Sequence, residues 1–227
     1  QVFNMEAITK AAKAQGAFVG WDLAHAVGNV GLNLHDWGVY FAAWCSYKYM
    51  NSGPGNASGI FVHEKYLNNN EIPRFEGWWG TKKETRFLMK PEFEPMENAD
   101  AWQVSNPSVL SLAPYLASLE MFEEVGMETL ISKRKLIVAY LEFILQEIDK
   151  ETEGSFEIIT PKDRGCQLSV FLHGQGKELF NYLMENGVIT DWREPNVIRL
   201  APAPFYCSFA DMYNFGQILK SGILAKG

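Results

Sequence analysis

Cysteine is scarce in this sequence. The chain has three among 227 residues, at positions 45, 166 and 207, and no two stand at a metal-ligand spacing. So sparse and odd a set excludes a disulfide framework and suits a reducing compartment, so the cytoplasm is the expected location. Positive charge is also short, with 20 Lys and Arg against 27 Asp and Glu. There is no basic stripe, which argues against nucleic acid or an anionic membrane surface as partner. No apolar run approaches the roughly 20 residues that span a bilayer. Internal repeats, low-complexity tracts and a signal-peptide pattern are missing too. The chain begins at Gln1 without an initiator methionine and opens almost directly into a helical pattern, so we expect it to lack an amino-terminal part. What remains is an ordinary globular composition, 47% hydrophobic and 21% charged, long enough to bury a core in one or two domains.

The order of elements points to an α/β chain. Residues 5–14 read as an amphipathic helix ending near Gly16. Apolar runs at 17–21, 39–46 and 59–63 read as strands of a covered, mostly parallel sheet. Residues 64–105 carry little periodic signal but hold Gly77-Trp78-Trp79-Gly80, and so long an irregular stretch implies function or an interface. Asn106-Pro107 reads as the cap and first position of a helix running to about Glu124. A second long helix is expected at 127–149. Strands near 155–160, 166–172 and 196–200 with helices at 176–186 and 209–223 then form a smaller α+β domain. We place the boundary between residues 125 and 126.

Functional groups of parallel α/β sheets gather at the carboxyl ends of the strands. Asp22 and Lys48 both fall at such ends, Asp22 in Trp21-Asp22-Leu23-Ala24-His25 and Lys48 in Ser46-Tyr47-Lys48-Tyr49. An acid and an amine across one small ring suit pyridoxal phosphate chemistry: the lysine forms the imine, and the acid keeps the ring nitrogen protonated. The plainer reading of Asp22 and His25 is a helix cap with a first-turn histidine. The plainer reading of Lys48 is a surface lysine. Gly53-Pro54-Gly55 lets backbone pass close to a ligand, and Tyr47 could donate to a phosphate. Arg199, inside an apolar strand, needs an anion, either a substrate carboxylate or a partner within the domain. Trp78 is either a core or interface residue or an indole donor to phosphate. No metal-ligand set is recognisable.

Taken together, these motifs resemble the kynureninase family, in the class-V group of pyridoxal-phosphate enzymes with the aspartate aminotransferase fold (fold type I). The matching pieces are Asp22-Leu23-Ala24-His25-Ala26-Val27-Gly28, Trp44-Cys45-Ser46-Tyr47-Lys48-Tyr49, Gly53-Pro54-Gly55, Gly77-Trp78-Trp79-Gly80, Ser105-Asn106-Pro107, Arg164-Gly165-Cys166-Gln167-Leu168 and Ile198-Arg199-Leu200-Ala201-Pro202. The resemblance implies that residues 1–125 are the carboxyl-terminal part of the cofactor-binding large domain and 126–227 the small domain. It implies hydrolysis of L-kynurenine or 3-hydroxykynurenine to an anthranilate and L-alanine, in tryptophan catabolism and NAD biosynthesis. Lys48, Asp22 and Tyr47 would be catalytic. Asp22, His25, Tyr47, Lys48, Trp78 and Asn106 would hold pyridoxal 5′-phosphate, and Arg199 with Asn106 the substrate. A homodimer would share its sites, Trp78 and Asn106 reaching across. A cysteine desulfurase or lyase of the same group, or a cofactor-free interaction domain of the same fold, are the alternatives.

Overall fold

Asn4 caps the first helix, α1 (Met5–Ala14), by accepting a hydrogen bond from the Ala7 backbone at 3.0 Å. Gly16, at φ 77°, ends that segment and turns the chain toward the first strand. In this computed structural model, residues 1–67, 69, 71–174 and 176–225 are described. They divide into two compact units, residues 4–124 and residues 125–227 joined by 1–3.

The first unit is built on a three-stranded sheet in the order β1 (Gly20–Asp22), β2 (Phe41–Trp44), β3 (Gly59–Val62). Side chains alternate across it. One face carries Ala42, Trp44, Phe61 and Trp21, which pack with Met5 of α1 and with Leu23. The other face carries Phe41, Ala43, Ile60 and Val62, brought together by the pairings Phe41↔Val62 and Ala43↔Ile60. The sheet is mixed, which corrects the expectation of a mostly parallel one. β1 and β2 are parallel, but β2 and β3 are antiparallel. The reason is the link between β2 and β3, a loop with no crossover helix, which returns the chain in the opposite direction.

Among its described residues, the stretch 64–105 is organised by four short 3-10 turns and side-chain clamps. Arg86 donates to the carbonyls of Trp79 (2.6 Å) and Thr81 (3.1 Å) and lies over the Trp79 ring at 4.3 Å. At Gly77 a β-carbon would meet the Val104 carbonyl oxygen at 2.2 Å, so only glycine fits there. The next helix, α2 (Val109–Val125), starts later than its sequence suggests. Asn106 is not its cap. Pro107 disfavours a helical residue before it, and Ser108 takes over the capping position, its carbonyl accepting from Leu112 at 3.1 Å.

The second unit is α+β. Its elements are α3 (Met127–Glu151), β4 (Phe156–Ile158), β5 (Leu168–Leu172), α4 (Gly176–Glu185), β6 (Asp191–Arg193), β7 (Val197–Leu200) and α5 (Phe209–Leu224). The sheet order is β4-β5-β7-β6, every pair antiparallel. α3 buries Leu130, Ile137, Leu141, Leu145 and Ile148 along one helical stripe. α5 opens with a capping box between Ser208 and Asp211. It approaches α3 closely at Gly216, where a β-carbon would lie 2.4 Å from Ile144 Cγ2. β6 was not foreseen from the sequence.

Candidate active site

The parallel pairing of β1 with β2 sets Asp22 opposite Ala43, on strands that run about 4.8 Å apart. Both strands therefore end on the same side of the sheet, and the residues that follow them share that end. After β1, Asp22 Oδ1 accepts from the Ala24 backbone at 2.9 Å and starts a series of tight turns. Leu23, almost fully buried, anchors them, and its backbone N–H donates to Ala43 at 2.8 Å. This turn is close to the plainer reading of Asp22, yet it occupies only one carboxylate oxygen, and the residue is exposed.

The turns deliver His25 to Lys48. Lys48 Nζ lies 3.1 Å from His25 Nε2. These residues are 23 apart in sequence and meet only because β1 and β2 are neighbours. The contact is a proton-sharing pair: a charged amine donates to the imidazole nitrogen, and a charged imidazole would donate to the neutral amine. The two loops also touch through their backbones. Gly28 sits at φ 78°, and a β-carbon there would lie 2.6 Å from the Tyr49 carbonyl oxygen and 3.0 Å from Met50 Sδ.

The loop carrying Lys48 is held from inside by hydroxyls. Ser46, fully buried, donates to the Ala57 carbonyl and accepts from Ser52 Oγ at 2.7 Å. Asn56 donates to the Ser52 carbonyl at 2.8 Å, and Ser118 of α2 donates to the Met50 carbonyl. These positioning residues were missed by sequence reasoning, since a serine in a turn carries no signal of what it will bond. Gly53 (φ 90°) and Gly55 (φ 72°) face open space, with no atom within 4 Å of where a β-carbon would stand. Tyr47, exposed beside Lys48, has its phenol pushed above the ordinary range by a hydrogen bond with Cys45, so it keeps its proton at neutral pH.

The remaining predicted residues lie elsewhere. Trp78 is about half exposed, its ring edge-on to Phe87 at 5.3 Å. Asn106 is exposed in the irregular segment before α2. Arg199 belongs to the second unit, where it pairs with Asp191 directly opposite on β6. That is the within-domain partner foreseen as one alternative. Asp191 also pairs with Arg193 at 3.0 Å, and the buried Arg199 Nε has no hydrogen-bond partner. Two guanidiniums thus share one carboxylate. Among the described residues no cluster of three His, Cys, Asp or Glu could hold a metal, and no helix is long and apolar enough to cross a membrane.

The donor set fits pyridoxal phosphate: an amine paired with an imidazole, a carboxylate one turn away, a protonated phenol and an open glycine turn. Comparison with known proteins agrees. A family model described as kynureninase C-terminal domain matches residues 134–219. A kynureninase of Christiangramia forsetii is 73% identical, over 100% of this chain and 54% of that protein. One of Flavobacterium psychrophilum is 70% identical, over 99% of this chain and 53% of its own length. The chain therefore spans about half the length of the curated relatives it matches. Among solved structures, a cysteine desulfurase of Escherichia coli superposes with a TM-score of 0.79 at 14% identity, covering 99% of this chain and 56% of that one. An alanine–glyoxylate aminotransferase of Nostoc sp. gives 0.68 at 18% identity, covering 96% and 57%. These likenesses establish the class-V aminotransferase fold. With sequence identity this high along its whole extent, the chain belongs to the kynureninase family.

Proposed function

We propose that the complete protein hydrolyses L-kynurenine, or 3-hydroxykynurenine, to anthranilate, or 3-hydroxyanthranilate, and L-alanine. The observation that carries this reading is the 3.1 Å contact of Lys48 Nζ with His25 Nε2, three residues past Asp22, at the carboxyl ends of two parallel strands. Pyridoxal 5′-phosphate, when bound, supplies the electron withdrawal that loosens bonds at the α- and β-carbons of an amino acid. Lys48 would hold it covalently through Nζ, and Asp22 would keep a proton on its ring nitrogen. An amine attacks a carbonyl only when neutral, and His25 Nε2 is placed to take the proton Lys48 must lose. The Lys48 amine, when free and neutral, would move a proton at the substrate's α-carbon. Tyr47, keeping its own proton, would donate to the phosphate.

Arg199 would take the α-carboxylate of the substrate. Asp191 neutralises only one of the two guanidiniums it touches, which leaves a net positive charge for an incoming anion. The protein would act as a cytoplasmic homodimer with shared sites, Trp78 and Asn106 serving the partner's cofactor and substrate. Its place would be tryptophan catabolism and NAD biosynthesis.

The test uses the complete gene product with added cofactor. Kynurenine should release fluorescent anthranilate, and borohydride should fix the cofactor on the peptide containing Lys48. Sulfide from cysteine with kynurenine untouched points instead to a desulfurase. A product that binds no cofactor leaves an interaction domain.

A further inference from the structure

Two successive residues of one loop meet the same imidazole of another. Lys48 Nζ lies 3.1 Å from His25 Nε2, and the Tyr49 ring stands edge-on to the His25 ring, centroids 6.0 Å apart and planes at 65°. Tyr49 is half-buried, and its backbone is pinned on both sides. Its carbonyl lies against Gly28, where a β-carbon would come within 2.6 Å of the oxygen. The next residue, Met50, is buried, and its carbonyl accepts from Ser118 of α2. The ring therefore projects from a fixed base.

His25 is held from its main chain. Its carbonyl accepts from Asn29 Nδ2 at 3.0 Å, and Asn29 is itself buried. That bond fixes the backbone but not the turn of the imidazole about Cβ–Cγ. Torsions of this kind are broad and roughly two-fold, so a neighbour must choose between the two settings. The choice matters chemically. A half-turn would put the carbon Cε1 where Nε2 stands, and a ring carbon neither takes nor gives the proton of Lys48. An edge-to-face aromatic neighbour has a preferred geometry beyond simple burial, and Tyr49 is the ring that stands there. We propose that Tyr49 is a positioning residue whose ring sets the His25 imidazole so that Nε2 faces Lys48. It acts through His25 rather than on the reacting atoms. The proposal deepens the functional reading and rests on the proton transfer from Lys48 to His25 assigned there.

The experiment uses the complete gene product stripped of cofactor. Pyridoxal 5′-phosphate is added, and borohydride at timed intervals counts the cofactor fixed on the Lys48 peptide. Tyr49→Leu should slow this capture about two- to tenfold, the worth of one aromatic contact. Tyr49→Phe, which keeps the ring, should capture at the unsubstituted rate. His25→Ala should also be slow, and the His25→Ala, Tyr49→Leu double variant no slower than His25→Ala alone. A second measurement needs no variant. With labelled histidine and tyrosine rings in the unsubstituted protein, nuclear Overhauser contacts should join the two rings and show the imidazole in one setting. Additive losses in the double variant, a Tyr49→Phe as slow as Tyr49→Leu, or an imidazole that samples both settings overturns the proposal. Full-rate capture in His25→Ala removes the base it depends on and overturns it too. Capture is read without kynurenine, so the expected pattern of rates with kynurenine untouched supports the role of Tyr49 and ends the functional reading instead. A product that fixes no cofactor on Lys48 also ends that reading, and the resonance measurement alone then decides for or against Tyr49.

Discussion

Replacing Gly28 by alanine tests the link between fold and site most directly. Gly28 has φ 78°, and a β-carbon there would meet the Tyr49 carbonyl oxygen at 2.6 Å and its carbon at 2.8 Å. The backbone of an L-residue in this region costs about 1–2 kcal/mol. The clash is with main chain, which cannot rotate aside, and overpacking of that sort costs about 1–3 kcal/mol. A total near 3 kcal/mol corresponds to a fall in melting temperature of about 6–12 °C for a chain of this size. Gly53→Ala is the control: its φ is 90°, yet no atom stands within 4 Å, so it bears the backbone cost alone. Thermal scans followed by near-ultraviolet dichroism should rank Gly28→Ala below Gly53→Ala by the clash. In the complete gene product, Gly28→Ala should also weaken cofactor binding, because Tyr49 adjoins Lys48 and the two loops would part. About 1.4 kcal/mol at that contact is tenfold in affinity. Equal melting temperatures for the two variants, or unchanged cofactor affinity in Gly28→Ala, would refute the reasoning.

Three further outcomes are expected. Ser46→Ala should cost about 1–3 kcal/mol, because it leaves the Ala57 carbonyl and the Ser52 hydroxyl unpaired in the interior; urea unfolding checks this, and the Ser46→Ala, Ser52→Ala double variant should cost less than the sum. Arg199→Ala should raise KM for the substrate by about 10- to 100-fold, the loss of one charged hydrogen bond, with a smaller effect on kcat; an effect confined to kcat speaks against carboxylate binding. The stacked pair His35 and His63 should titrate on opposite sides of the ordinary value of 6.5. Hydrogen bonds that His35 donates to Asp36 and Glu64 raise its pKa, so its stabilising contribution is complete below 6.5 and fades as pH rises through the raised value. Burial lowers His63, so its neutral form supports the fold above 6.5, and that support is lost as pH falls. Glu64 is lowered by His35, so its share is lost in turn as acid protonates it. Proton NMR of the two rings measures both values, and Glu64→Gln should bring His35 down.

Long periodic patterns survived the passage from sequence to structure. α1, α3, α4 and α5 lie where their apolar spacing puts them, because each buries a stripe whose period no loop would keep. The strands were legible as apolar runs but came out shorter. The run 39–46 yields only Phe41–Trp44, since the chain must leave the sheet to present Lys48. Direction was not legible. The apolar run of β3 looks the same whether it pairs parallel or antiparallel, and only the absence of a helix before it decides the matter. β6 escaped notice because Asp191-Trp192-Arg193 is short and largely polar; it is a strand only by virtue of pairing with β7.

At the candidate site the same division holds. The residue types of Asp22 and Lys48 at strand ends were legible, while the bond between Lys48 and His25 was not, because no local spacing encodes a contact across 23 residues. The unread strand β6 matters most for Arg199. Without it, an arginine in an apolar strand poses a choice between a substrate and an internal partner. With it, Asp191 appears opposite Arg199, and the internal partner is plain. Asp191 carries one negative charge and faces both Arg193 and Arg199. A carboxylate that balances one guanidinium holds the second in place without neutralising it. The proposed carboxylate-binding role of Arg199 draws on that excess of positive charge beside Asp191.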